Sequence, residues 1–181
     1  MKLSASDEDL MTATGRGDLL AFEQIVFRYQ DTAWRISYRF LGDSSEAEDV
    51  TQEAFMKIFK AAPQYRPTAA FKTYFHRVIT SLCIDRTRKN RPLYVADPAE
   101  VVDNTSSIID NIVQNERERE VREALGKLPP RQRAAAIFRY FEDLSCRDIA
   151  SVMQTTEKSV ERLLSRARIL LESQLEHLMK E

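Results

Sequence analysis

Residues 71–82 constrain the fold most strongly, because their apolar side chains recur with the spacing of a helix. The intervals are four, three and four residues, and the side chains are Phe71, Phe75, Val78 and Leu82. Residues three and four apart lie on one face of an α-helix, so this pattern predicts a helix with a single apolar stripe. Tyr74 and His76 fall outside the stripe. We therefore expect one side of this helix to pack in a core and another side to serve a function.

Positive charges follow in the second half of the same segment. Opposed by one acid, Asp85, the basic residues are Lys72, Arg77, Arg86, Arg88, Lys89 and Arg91. Aromatic rings and cations on one helix can stack on unpaired bases while they hold phosphates. A core helix whose basic end is merely solvated would show the same pattern, since cations also complement the helix dipole. This segment alone leaves both interpretations open.

The composition extends the helical interpretation to the whole chain. Only four glycines and six prolines occur among 181 residues, and no alternating strand pattern is present. These features predict an all-α protein. The 27 basic and 28 acidic residues nearly balance, so the total charge does not indicate nucleic acid and only the position of the charges can.

Several classes of protein are disfavoured by the sequence. The charged first residues and the lack of any apolar run of about 18 residues predict a cytoplasmic protein with no membrane insertion. Cys83 and Cys146 are the only cysteines and lie far apart in the sequence, which predicts reduced thiols. The only histidines are His76 and His177, so the four residues lack the closely spaced ligand pairs of a zinc site. Catalytic motifs are missing too. We expect no catalytic residue, no metal and no cofactor.

The first module is predicted to contain three helices before residues 71–91. The first covers residues 7–14, the second runs from about 18 to 41 and stops at Gly42, and the third opens with a capping box of Ser45 and Glu48 and ends at Lys60 or Ala61. Its beginning is acidic, with Asp43, Glu46, Glu48, Asp49 and Glu53. Compensation of the helix dipole and an exposed face for a basic partner both explain these acids.

The second module follows a linker and contains a helix-turn-helix pattern. Residues 92–107 are rich in proline and acids and predict a flexible linker. Later, Ser145 caps a short helix with Asp148 at its third position, and a polar turn at residues 154–157 leads into a longer basic helix. The cations outside the apolar stripe of that helix are Lys158, Arg162, Arg166 and Arg168. They can face a duplex, or they can form a solvated helix face.

Three segments in this order resemble the bacterial extracytoplasmic-function sigma factors of the sigma-70 family. They are AEDVTQEAFMKIFKAAPQY at residues 47–65, FKTYFHRVITSLCIDRTRKNR at 71–91, and LGKLPPRQRAAAIFRYFEDLSCRDIASVMQTTEKSVERLLSRARILL at 125–171. The resemblance implies region 2 at residues 1–91, a linker at 92–107 and region 4 at 108–181. It also implies an RNA polymerase sigma factor that binds core polymerase, directs it to promoters and assists promoter opening.

The resemblance assigns roles to individual residues. Docking on the β′ clamp helices of polymerase would use Asp49, Gln52, Glu53 and Lys57. Recognition of the minus-ten element would use Lys72, Tyr74, His76, Arg77, Ser81, Arg86, Arg88 and Lys89. Recognition of the minus-thirty-five element would use Lys158, Ser159, Arg162, Arg166 and Arg168. It further implies contact with the β flap, regulation by an anti-sigma factor, and a cytoplasmic protein that joins the nucleoid with polymerase.

Departures from the family pattern leave the DNA sequence open. Tyr74 stands where tryptophan is frequent, Thr80 and Ser81 replace an Arg-Asn pair, and Glu161 and Leu163 occupy positions that are often basic. Two other function classes also fit part of the pattern. An autonomous helix-turn-helix regulator would bind its operator without polymerase, and a helical adaptor would support no promoter-dependent transcription.

Overall fold

The computed structural model describes residues 5–89 and 109–176, with side chains from residue 116 onward in the second range. Both ranges are built from α-helices and one 3₁₀ turn. The helices are α1 (Asp7–Gly15), α2 (Leu19–Leu41), α3 (Ser44–Ala61), α4 (Phe71–Lys89), α5 (Ile109–Lys127), α6 (Pro130–Tyr140), α7 (Cys146–Met153) and α8 (Glu157–Leu175), and the 3₁₀ turn is Ala62–Gln64. The all-α prediction is confirmed. The predicted linker, 92–107, lies outside the described residues, as do both module boundaries.

The first helix closes one end of the first module. A Cβ atom at Gly15 would lie 2.5 Å from the carbonyl oxygen of Ala62, so α1 approaches the 3₁₀ turn as closely as its backbone allows. The Glu8 carboxylate accepts a hydrogen bond of 2.8 Å from the backbone N–H of Phe71, the first residue of α4. Asp7 accepts one of 2.5 Å from the Tyr29 hydroxyl. The short helix thus caps α4 and anchors α2.

The start of α3 differs from the predicted capping box. Asp43, rather than Ser45, is the N-cap, and its carboxylate accepts a hydrogen bond of 2.8 Å from the backbone N–H of Glu46. The reason lies in the preceding turn. Gly42 ends α2 in the left-handed conformation at φ 79°, which leaves Asp43 as the extended residue before the next helix.

The core of the first module confirms most of the predicted α4 stripe. Phe71 and Phe75 are fully buried, and each packs against the ring of Tyr29 at centroid distances of 5.2 and 4.6 Å. Val78 is only half-buried, while Ile79 is fully buried. The buried side of α4 is therefore wider than the predicted stripe.

The second module contains the predicted helix-turn-helix, formed by α7 and α8. Ser145 caps α7 through a hydrogen bond of 3.1 Å from the backbone N–H of Asp148, and Thr156 caps α8. Gln154 ends α7 in the left-handed conformation at φ 50°, where the pattern would favour glycine. Pro130 begins α6 at the first helical position, where the fixed φ of proline suits the helix.

The two modules pack against each other. Helices α2 and α4 of the first contact α5, α6 and α7 of the second, and buried side chains from both belong to one apolar cluster. This packing was not predicted, because the sequence pattern of each module is complete by itself. None of the described helices is both long and apolar enough to cross a lipid bilayer.

Candidate protein and nucleic-acid interfaces

The predicted polymerase contacts share one exposed face of α3. At 3.6 residues per turn, residues separated by three or four positions lie above one another, and the structure exposes all of Asp49, Gln52, Glu53 and Lys57. The Lys57 ammonium lies 3.3 Å from the Glu53 carboxylate, and both groups remain accessible to solvent. The face is predominantly acidic and can attract a basic partner.

An exposed methionine lies in the middle of this face. Met56 is 54% exposed and falls between Gln52 and Glu53 of one turn and Lys60 of the next. Methionine adapts to irregular surfaces and is enriched at protein interfaces. Met56 was not predicted, because the prediction of this face rested on its charged residues. The helical spacing from Asp49 through Glu53 to Lys60 nevertheless places residue 56 on the same face.

Arg86 connects this acidic face with the candidate DNA helix. Its guanidinium lies 3.1 Å from Glu46, 3.7 Å from Asp49 and 3.9 Å from Glu53. The side chain was predicted to contact minus-ten DNA. In this arrangement a phosphate would have to compete with three carboxylates for it, so the DNA role of Arg86 stays a prediction.

One side of α4 collects four of the predicted minus-ten residues. With about 100° between successive residues, Tyr74, Arg77, Ser81 and Arg88 fall within about 60° of one another, on the side opposite the core. Lys72 and Lys89 are also exposed but point in other directions. The structure thus groups an aromatic ring, a hydroxyl and two cations in one strip.

Tyr74 is held in place by neighbouring rings. Its ring lies 5.7 Å from Tyr65 and 6.2 Å from Phe71, measured between centroids. Burial raises the pKa of Tyr74, so the phenol stays neutral at physiological pH. A neutral, half-buried ring supported by other rings can receive a base without first having to be ordered.

His76 and Arg77 contact the second module. The His76 side chain is 1% exposed and its ring packs 5.1 Å from that of Phe138. Burial, with the charge of Lys72, lowers the pKa of His76 to about 4, so it is neutral. Arg77 donates a hydrogen bond of 3.1 Å to the Ser151 carbonyl of α7. Both side chains were predicted to contact DNA. In the structure His76 is buried under Phe138, and Arg77 is half-buried and bound to α7, so their DNA roles stay predictions.

The basic residues of α8 separate into two groups. Lys158, Arg162 and Arg166 are exposed within about 80° of helix circumference, with half-buried Ser159 beside them. Arg168 lies about 120° from Arg162 around the helix, and its guanidinium binds the Glu172 carboxylate at 2.6 Å. The first group forms a cationic strip at the amino-terminal half of α8, the part of a recognition helix that contacts bases.

A buried arginine, Arg133, was missed by sequence reasoning. It is 7% exposed and lies between the modules, where it donates hydrogen bonds to backbone carbonyls. Burial lowers its pKa. Every residue carries a backbone carbonyl, so a pattern of charged side chains could not predict that Arg133 would be buried against such acceptors.

Comparisons with known proteins identify the family of the chain. A family model described as Sigma-70 region 2 matches residues 25–92, and one described as Sigma-70, region 4, matches residues 118–171. The chain is 32% identical to the RNA polymerase sigma-H factor of Pseudomonas aeruginosa over the full length of both. The chain belongs to the extracytoplasmic-function sigma factors of the sigma-70 family. It is a transcription initiation factor for RNA polymerase.

Further relatives support the family assignment. The ECF RNA polymerase sigma factor SigW of Bacillus subtilis is 32% identical, with 90% of this chain and 93% of SigW covered. Among solved structures, CnrH in complex with the cytosolic domain of CnrY is 22% identical, has a TM-score of 0.73, and matches 96% of this chain and 99% of its own. The sigma factor RpoE from Bartonella quintana is 18% identical, with a TM-score of 0.66 and coverage of 86% and 96%. These two comparisons show that the chain has a fold similar to those of CnrH and RpoE.

Proposed function

We propose that this sigma factor docks on the β′ clamp helices of core polymerase through α3, opens the minus-ten element with α4, and reads the minus-thirty-five element with α8. The observation that carries the proposal is that one chain exposes an acidic face on α3 and a separate cationic strip on α8. The two surfaces have opposite charge and suit different partners.

The docking step rests on Asp49, Gln52 and Glu53, with Met56 at the centre of the contact. Acidic residues steer the approach of a basic coiled coil, whereas a methionine that becomes buried on docking supplies the apolar contact that retains it. Lys57 would have to exchange its ion pair with Glu53 for a partner carboxylate. In the second module, Tyr140 and Leu170 are 53% and 39% exposed, and we assign them to the β flap as its apolar contacts.

The opening step rests on the strip of α4. A base captured by an aromatic ring gains about 1–3 kcal/mol, which offsets a few kcal/mol of unpairing. Tyr74 supplies the ring, Ser81 a hydrogen bond, and Arg88 holds a phosphate; Arg77 would have to exchange its hydrogen bond to the Ser151 carbonyl for a phosphate. Lys158, Arg162 and Arg166 would contact the upstream duplex in its major groove.

Regulation by an anti-sigma factor is part of the proposal. RpoE, which has a similar fold, was solved in complex with the anti-sigma factor NepR, and this supports a partner of the same kind here. The formal net charge of −1 suits a factor that binds DNA weakly until polymerase adds affinity, and such binding weakens further with salt. The factor would then associate with the nucleoid only with polymerase.

Run-off transcription tests the proposal. Core polymerase is incubated with and without the protein on fragments of the genome that encodes it. We expect new transcripts that require both components, and the Glu53→Lys variant serves as a folded control with weakened docking. If no template yields a transcript that depends on the protein, the proposal is wrong.

A further inference from the structure

The amino-terminal helix α1 holds the connection between α3 and α4 at both of its ends. At the first end, Gly15 approaches Ala62 so closely that a Cβ atom would lie 2.5 Å from the Ala62 carbonyl oxygen. At the other end, the Glu8 carboxylate accepts the Phe71 N–H at 2.8 Å. Seven positions separate Glu8 from Gly15, so the two contacts lie on one face of α1, about 10 Å apart along its axis. A rigid helix therefore sets the distance between the ends of the connection.

The start of α4 receives its cap from α1, because the residue before it offers no side-chain acceptor. Ala70, whose carbonyl accepts the Thr73 N–H at 2.9 Å, precedes the helix and has no side-chain oxygen. The first turn of α4 contains no acid, and it begins with Phe71 and the cation Lys72. A carboxylate at a helix amino terminus satisfies an unpaired N–H and complements the positive end of the helix dipole. Glu8 supplies both from another helix.

Glu8 is held in place by the contacts of its neighbour in α1. Asp7 accepts a hydrogen bond of 2.6 Å from Arg28 and one of 2.5 Å from the Tyr29 hydroxyl, and both donors belong to α2. The Tyr29 ring in turn packs 5.2 Å from that of Phe71, measured between centroids. The carboxylate that caps α4 is thus fixed relative to α2 and to the core of the first module.

The connection also supports the candidate base-stacking ring. Tyr65 follows the 3₁₀ turn, and its ring lies 5.7 Å from that of Tyr74 and 6.3 Å from that of Phe71. Burial, followed by the charge of Glu8, raises the pKa of Tyr65, which reflects its position beside α1. Its hydroxyl is buried without a hydrogen-bond partner in the part of the chain that the structure describes. Tyr65 therefore contributes a ring, and that ring supports Tyr74 from a segment whose ends α1 holds.

We infer that Glu8 is a positioning residue for promoter opening, which acts through Phe71 and the connection to hold the Tyr74 ring where an unpaired base stacks on it. The inference rests on the proposed function, because it assigns Glu8 to the same step. It gives α1 a role in opening beyond the stability of the first module. A ring that is held in advance receives a base without a further cost of ordering.

A double-mutant cycle with Tyr74 tests this role. Permanganate footprinting measures the opening rate of duplex promoter DNA for holoenzymes that carry the unmodified protein, Glu8→Ala, Tyr74→Ala or both changes. We expect Glu8→Ala to slow opening by about fivefold, the factor that corresponds to one capping hydrogen bond. When residue 74 is already alanine, Glu8→Ala should slow opening by less than about twofold. A residue that only stabilised the fold would slow opening equally in both backgrounds.

Two further variants serve as controls. Glu8→Gln keeps an oxygen acceptor for the Phe71 N–H and should open DNA within about twofold of the unmodified protein. Glu23→Ala removes an exposed acid from α2 and should leave the opening rate unchanged. All variants should bind core polymerase within about twofold of one another, since they lie away from the exposed face of α3.

The outcomes separate the inference from the proposed function. Equal slowing by Glu8→Ala in both backgrounds would overturn the inference alone, and so would an unchanged opening rate when Tyr74 is present. If Tyr74→Ala opens DNA as fast as the unmodified protein, or if the unmodified protein directs no transcription, the proposed function fails and takes the inference with it.

Tyr65→Leu provides a second test that leaves α1 unaltered, so the inference can be tested even if Glu8→Ala does not fold. It removes the ring that supports Tyr74, and we expect it to slow opening by about threefold while Tyr74 is present. Tyr65→Phe keeps the ring and should behave like the unmodified protein. Circular dichroism checks that both variants are folded. If Tyr65→Leu slows opening equally when residue 74 is alanine, the connection does not position Tyr74 and the inference is wrong.

Discussion

The guanidinium of Arg86 lies 3.1 Å from the carboxylate of Glu46 and so joins the last turn of α4 to the first turn of α3. Because Asp49 and Glu53 lie within 4 Å of the same group, the helix that we propose for promoter DNA shares a charge network with the helix that we propose for polymerase. The acidic face is partly neutralised from within its own module.

A double-mutant cycle on this pair should show a measurable coupling. The side chains of Arg86 and Glu46 are 25% and 31% exposed, so solvent weakens the interaction, and we expect a coupling free energy of about 0.5–1 kcal/mol. Urea unfolding of Arg86→Met, Glu46→Gln and the double variant measures it. The exposed pair Arg168 and Glu172 is the control, and a coupling no larger than in that pair would contradict the network.

Glu53→Lys should weaken binding to core polymerase by about tenfold or more, because it places a cation in the centre of an acidic docking face. Glu48→Lys makes the same charge change on another exposed side of α3 and should have little effect. Titration of labelled protein with core polymerase compares them, and thermal melting checks that both fold. If Glu53→Lys and Glu48→Lys bind core polymerase with equal affinity, the proposed docking face of α3 is wrong.

Tyr74→Ala should slow promoter opening on duplex DNA by about tenfold, which corresponds to the loss of one base stack of 1–3 kcal/mol. On a template already unpaired at the minus-ten element, the loss should be much smaller. Tyr74→Phe keeps the ring and should behave like the unmodified protein. Permanganate footprinting reports the unpaired bases, and an equal loss on both templates would reject a melting role for Tyr74.

Arg162→Ala should reduce the salt dependence of binding to minus-thirty-five DNA by a slope of about one, since one phosphate contact is lost. Arg168→Ala should change the slope less, because Arg168 faces another direction and binds Glu172. Fluorescence anisotropy of the holoenzyme on labelled DNA at several salt concentrations measures both slopes. An equal or larger effect of Arg168→Ala would show that the side of α8 that carries Arg168 faces DNA, contrary to the proposal.

His76 should make the folded protein less stable in mild acid. Its pKa is lowered to about 4 by burial and by Lys72, whereas in the unfolded chain it is near 6.5. The unfolded state therefore takes up more protons as pH falls between these values, and the free energy of unfolding should drop by about 2 kcal/mol from pH 7 to pH 5. Urea unfolding measures this drop, and a variant His76→Gln that drops just as much would assign it to other groups.

The helices could be predicted from the sequence because their signals are local. Periodic apolar residues, Gly42 and the Ser145 cap fix most boundaries without help from the rest of the chain. Asp43 replaced Ser45 as the cap of α3 because the conformation of Gly42, two residues before the helix, decides which residue is extended. The positions of the candidate surfaces on α3 and α8 followed from helical periodicity in the same way.

The contacts between modules could not be predicted in this way. Arg133 binds backbone carbonyls, and Arg77 binds one as well, so neither has a partner that a pattern of side chains could reveal. His76 lies beside the apolar stripe of α4 and is buried where α6 packs against α4, with the Phe138 ring in contact. Long-range packing, rather than local propensity, decides the accessibility of these residues.

The hydrogen bond from the Phe71 N–H to Glu8 spans 63 positions of the sequence. The acceptor that caps the start of α4 therefore lies in the amino-terminal helix, which precedes the family match at residues 25–92. A truncated protein that starts at residue 25 would lack Glu8, and the Phe71 N–H in the first turn of α4 would lose this acceptor. The physical domain is thus larger than the segment by which its family is recognised.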